Sequence, residues 1–126
     1  MSNPRFIPRS FTPTPDLFGR AEIIRWSVPD RNRPDSLDQF RAAQLQHRWS
    51  SLIRRTARAR YGSVRDWCDQ FSLDYQRTLS ILRGTAVMRF EDLATAERTL
   101  GVHLVPGAVS AGGRSREVPR SVGRIF

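Results

Sequence analysis

Between Tyr75 and Arg83 the chain carries five side chains with the chemistry to read base pairs: Tyr75, Gln76, Leu79, Ser80 and Arg83. At helical spacing they face away from Thr78 and Ile81. A glutamine amide can pair with adenine through two hydrogen bonds, and Arg83 can reach guanine or a phosphate. Tyr75 can touch a thymine methyl or hydrogen-bond a phosphate. Leu79 suits a thymine methyl, or core packing if the helix is rotated slightly. Arg77 lies toward the backbone edge of this face, where a phosphate would meet it. Other chemistry has little to work with. His47 and His103 have no partners at metal-ligand spacing. There is no P-loop, and no nucleophile has a histidine nearby in sequence. The expectation is a binding protein, not an enzyme, with no metal and no cofactor.

Two short helices must position these groups. Val64, Trp67, Cys68 and Phe71 fall at i, i+3, i+4 and i+7, one face of a helix. Ser63 precedes them with Asp66 three positions on, a start resembling a capping box. Ser72-Leu73-Asp74 breaks the pattern. Asp74 can accept a hydrogen bond from the free N–H groups of a second helix, and Gly84 is placed to end it. Thr78, Ile81 and Leu82 give that helix its inward face, and Leu73 plugs the angle between the two. This is the pattern of a helix-turn-helix, whose second helix, here about 74–83, enters the DNA major groove. Ser63 and Asp74, at the two helix starts, join the expected phosphate contacts. Cys68 reads as a small core residue, and Trp67, Phe71 and Trp49 as core aromatics.

The run resembles the Xre or lambda-repressor-like helix-turn-helix family over roughly residues 50 to 102. Trp67-Cys68 stand where that family has a large apolar residue and Ala, and Phe71-Ser72 where it has an apolar residue and Gly. Leu73 matches its turn residue, Asp74 the Ser that often opens the recognition helix, Thr78 and Ile81 its inward pair, and Arg83-Gly84 its closing pair. Phe90-Glu91-Asp92-Leu93 and Leu100-Gly101-Val102 resemble the fourth helix and its exit. Met88 stands where Pro is common. The family's fifth helix, often its dimer contact, has no counterpart in His103-Leu104-Val105-Pro106-Gly107. The resemblance implies a double-stranded DNA-binding regulator, most simply a repressor of phage-immunity or Cro-like type. It leaves monomer and homodimer both open.

Composition agrees with a polyanionic partner. The 126-residue chain carries a net charge of +9, and all 21 of its basic residues are arginine. Guanidinium is always charged and grips phosphate with two hydrogen bonds. The charge is uneven: residues 36–62 hold six Arg against one acid, whereas residues 63–102 hold five Arg against six acids. Such a division fits DNA readers, in which phosphate contacts position and base contacts specify. A single cysteine excludes an internal disulfide. No run of 18 apolar residues offers a membrane span, and Met1 to Arg5 lacks a signal peptide's apolar segment. The expected location is the cytoplasm, at the nucleoid.

Earlier in the chain, residues 1–15 hold four prolines, the pattern of a disordered leader or of an extended arm. Arg5 and Arg9 would let such an arm follow a DNA groove. Residues 16–29 read either as a short helix through Ile23 and Ile24 or as a strand alternating at Ile24, Trp26 and Val28, and in both cases must pack on the helical body. Pro34 ends what precedes it. The longest helix then runs from about Leu37 to Arg60 behind a Ser36 cap, with a break possible near Ala42-Ala43-Gln44. Leu45, Trp49, Leu52, Ile53 and Thr56 form its apolar stripe. Arg41, Arg48 and Arg55 repeat every seven residues beside it, with Arg54 and Arg58 further round, all within about 140° on an ideal helix. Five like charges without an acid among them point to phosphate contacts.

The reading is an all-α protein. An N-terminal extension (1–35) precedes a small helical bundle with a helix-turn-helix (36–105), and a flexible basic tail (106–126) follows. The expected function is sequence-specific binding of double-stranded DNA as a transcriptional regulator. The alternative is a protein-interaction module, such as an antitoxin, whose terminal segments bind a partner protein.

Overall fold

A computed structural model describes residues 6–104. The expected contact at Arg5 and the basic tail lie outside the described residues. The longest helix, α1, spans Pro34–Tyr61. Pro34 opens it instead of ending the preceding segment, since proline's fixed φ suits a first helical position that needs no N–H donor. Ser36 therefore lies inside the first turn and is not the cap. No break occurs near Ala42, and the helix continues unbroken to Gly62.

Three shorter helices follow: α2, Val64–Phe71; α3, Tyr75–Arg83; and α4, Phe90–Leu100. The Ser63 hydroxyl accepts from the Asp66 N–H at 2.9 Å, which starts α2 as its spacing predicts. The Asp74 carboxylate does the same for α3, accepting from the Arg77 N–H at 3.1 Å. Between them Ser72 adopts the left-handed conformation, φ 56° and ψ 40°, that glycine takes most easily. Among the described residues there is no strand, so the all-α expectation holds.

The main core joins all four helices. Ile53 and Ala57 of α1 meet Val64, Trp67 and Cys68 of α2, Leu79 and Leu82 of α3, and Leu93, Ala96 and Leu100 of α4. The Trp67 indole N–H donates to the Thr99 hydroxyl at 3.0 Å, so the buried ring keeps its polar atom satisfied. Cys68 is fully buried, and burial pushes its thiol pKa up, which suits a small apolar filler.

The N-terminal half of α1 departs from the expected stripe. Its buried residues are Ala43, Gln46, His47, Ser50 and Ser51, while Leu45, Trp49, Leu52 and Thr56 are only half-buried. The face is rotated because residues 6–33 cover it at His47, while Gln46 and Ser50 face the end of α3 and the linker after it. Residues 6–33 form neither a free extended arm, nor a helix through Ile24, nor a strand. Two short 3-10 turns, Pro8–Phe11 and Pro15–Leu17, fold them back. The Gly19 N–H donates to His47 Nδ1 at 2.8 Å, and Arg54 Nε donates to the Gly19 carbonyl at 3.1 Å. The Arg9 N–H reaches the Gly84 carbonyl at 3.0 Å. A row of ring contacts runs from Phe11 to Phe40, Trp26, His47 and Phe18 at centroid separations of 5.3–6.0 Å. Phe18 is 1% exposed. It lies so close to Gly84 that a Cβ there would meet its ring at 2.6 Å, and a Cβ on Gly19 would meet the Leu82 carbonyl at 2.0 Å. Both glycines also have positive φ, so close approach and backbone conformation each demand them.

Candidate nucleic-acid interface

The candidate reading face follows from how α3 is anchored. Ile81 and Leu82 are buried, as the spacing predicts, and Thr78 is half-buried. Leu79 is a correction. It is only 9% exposed and joins the core with Trp67, because α1 and α2 together cover more of α3 than one inward stripe. It is not placed to meet a base. Gln76 and Arg83 remain exposed and Ser80 half-exposed, at i, i+4 and i+7 on a single line along the helix. Tyr75 is half-buried, with the Arg65 guanidinium 4.9 Å above its ring. Three of the five expected base-reading residues thus share one open stripe, Tyr75 flanks it, and Leu79 leaves it.

The helix bearing the stripe is held at both ends. Arg77 is engaged within the fold. Its Nη2 grips both Asp92 oxygens at 2.8 Å, tying α3 to the first turn of α4. Its charge is matched there, although the side chain stays partly exposed. Asp92 also accepts from the Arg89 N–H at 2.8 Å. From the other side, the Gln46 amide donates to the carbonyls of Ile81 and Ala86, and its oxygen accepts from the Met88 N–H, each at 2.8 Å. One buried side chain therefore fixes the exit of α3 and the linker that leads to α4. Nothing in the sequence marks Gln46 for this role, because an isolated glutamine on a basic helix reads as solvated.

The expected phosphate contacts divide into separate groups. Arg41, Arg48 and Arg55 are exposed and lie within about 40° of one another on an ideal helix. They rim a groove of about 510 Å³ whose wall includes Ile23, Ile24, Trp26 and Leu52. Arg54 lies about 100° round from Arg55 and is turned inward onto Gly19, and its neighbour on that side, Arg58, is exposed. Ser63 and Asp74 are engaged as helix caps. Arg9 lines a second hollow, which it shares with Arg20 and Arg83. Arg20, Arg65, Gln46 and His47 are the residues that sequence reasoning missed.

Electrostatics sets these regions apart. Burial lowers the pKa of Arg54, and the nearby positive charges of Arg20, Arg83 and Arg58 lower it further. Burial also lowers the pKa of His47, whose neutral ring accepts from Gly19 at Nδ1 and faces the Glu22 carbonyl through Nε2 at 3.4 Å. Among the described residues no three of His, Cys, Asp and Glu cluster as metal ligands. Among them, too, no helix is long and apolar enough to cross a membrane. No family model, no curated protein and no solved structure matches the chain.

Proposed function

We propose that the protein is a sequence-specific reader of double-stranded DNA, acting as a repressor by occlusion. The observation that carries this reading is the open line of Gln76, Ser80 and Arg83 on a short helix clamped through Gln46 and the Arg77–Asp92 pair. A helix of nine residues presents a narrow ridge, and the B-DNA major groove, about 12 Å wide, admits one. A glutamine amide offers one donor and one acceptor to adenine, and a guanidinium offers two donors to guanine. The surrounding arginines give the positive field that steers and holds a polyanion. The resemblance of residues 50 to 102 to the Xre family supports the same assignment.

The test is a pair of binding curves on a preferred duplex and on scrambled duplexes. Gln76→Ala should cost about 1–3 kcal/mol on the preferred site and relax preference at one base pair. Arg58→Ala should weaken both duplexes alike. If Gln76→Ala also weakens every sequence equally, α3 is not the reading helix.

A second reading, a module that binds a partner protein, is favoured by one observation. Ile23 is 87% exposed and Val28 65%, and Ile23 lines the groove rimmed by Arg41, Arg48 and Arg55. Apolar surface beside unpaired charge suits an acidic polypeptide better than a phosphate backbone. Binding to DNA that a partner protein strengthens would favour this reading.

A further inference from the structure

Among the described residues, two buried side-chain polar atoms lack a hydrogen-bond partner, Ser51 Oγ and Arg54 Nη2. The second lies within a concentration of arginines. Arg54 spends its Nε on the Gly19 carbonyl. The next residue in the chain is Arg20, and Arg58 is one turn further along α1; both are exposed. Arg20 lines a hollow of about 390 Å³ together with Arg9, Asp16, Phe18 and Arg83, the last residue of α3. Five guanidinium groups are thereby gathered from three separate parts of the chain. Among the described residues none of them is joined to a carboxylate in an ion pair. Asp16 is the single acid lining the hollow.

Like charges brought together in this way repel, and burial sharpens the repulsion at Arg54. An anion in the hollow relieves it. Phosphate fits best, because its oxygens match the planar fork of a guanidinium and several forks can share them. We propose that the hollow between Arg9, Arg20 and Arg83 binds one phosphate group, with Arg54 and Arg58 adding positive charge from behind it. The site exists only with the N-terminal segment docked, since Arg9 and Arg20 belong to that segment. Its ligand's source rests on the DNA-reading proposal. The line of Gln76, Ser80 and Arg83 ends at Arg83, which also lines the hollow, so the phosphate is a backbone phosphate at the far edge of the groove. A free phosphorylated molecule would present the same chemistry.

Arg20 is exposed, so its replacement leaves the packing intact, which an unchanged unfolding temperature verifies. The full-length chain and its Arg20→Ala and Arg20→Lys forms are titrated with a random-sequence duplex over a series of salt concentrations. Loss of one phosphate contact should lower affinity several-fold and reduce the slope of log K against log salt by about 0.9 in Arg20→Ala, with the slope kept in Arg20→Lys. An Arg20→Ala slope equal to that of the unaltered chain overturns the proposal. If the unaltered chain binds no duplex, the DNA-reading proposal fails, and inorganic phosphate decides the hollow separately. Phosphate-dependent shifts of arginine Nε resonances, present in the unaltered chain and absent in Arg20→Ala, would support a site for a free phosphorylated ligand. No shifts in either form would overturn the site as well.

Discussion

The α2–α3 pair and the N-terminal segment are held in place by opposite means. The pair is built from neighbours: its caps, turn and inward residues all lie within residues 63–84, and each acts over a few positions. The segment 6–33 is built from distance. Its glycine meets a histidine 28 residues away, and its Arg9 amide meets the carbonyl of Gly84. The pair rests on an apolar core, whereas the segment covers a polar face of α1 and is fastened by aromatic rings and single hydrogen bonds. Local signals therefore suffice to shape a candidate reading helix, but surrounding it with charge requires contacts that no local pattern encodes.

Breaking the segment's anchor should give the largest effect. Phe18→Ala removes a fully buried ring and is expected to cost about 3–5 kcal/mol. Hydrogen exchange should show protection lost at Gly19 and retained in α2. Equal loss in both would mean that the two regions unfold as one. Gln46→Ala comes next. It strips partners from the carbonyls of Ile81 and Ala86 and from the Met88 N–H, at a cost of about 3 kcal/mol in chemical denaturation. It should also weaken DNA binding by loosening the exit of α3.

A smaller effect should come from pH. The folded state lowers the pKa of His47 below its ordinary 6.5, so the unfolded chain binds the extra proton more readily. The stabilisation is present above about pH 6.5 and is lost as the pH falls below it. Protonation also sets a second N–H donor against the Gly19 N–H. Unfolding temperature should decline from pH 7 to pH 5, and His47→Gln, which does not titrate, should flatten the decline. The smallest change sharpens the pair itself. Ser72→Gly should stabilise by about 0.5–1 kcal/mol, because serine is held there at a φ of 56° that glycine adopts freely. A loss of stability would show that the serine side chain contributes more than its backbone costs.

Much of the candidate reading face is legible because helix caps and 3.6-residue spacing are local rules. Ser63, Asp74, Ile81 and Gly84 took their places on that basis. Leu79 departs from the spacing because the long helix α1, distant in sequence, packs on α3 beside α2 and widens its buried face. The N-terminal segment misled for a related reason. Its prolines, read as an extended arm, instead open two 3-10 turns, since a proline fixes φ equally well in either. The buried face of α1 was illegible because Gln46, His47, Ser50 and Ser51 are polar, and polar residues signal burial only when their partners are known. By charge alone Arg54 reads as a phosphate contact, and its partial burial and its bond to Gly19 set it apart from Arg55.

The most direct measurement is selection of bound fragments from a random duplex library at about 150 mM salt, where screening weakens purely electrostatic binding. The account predicts a short recovered motif whose preference at one base pair disappears with Gln76→Ala. Its symmetry would separate a monomer on one site from a dimer on two half-sites. Recovery of no motif, with binding that vanishes as salt rises, would contradict sequence-specific reading by α3.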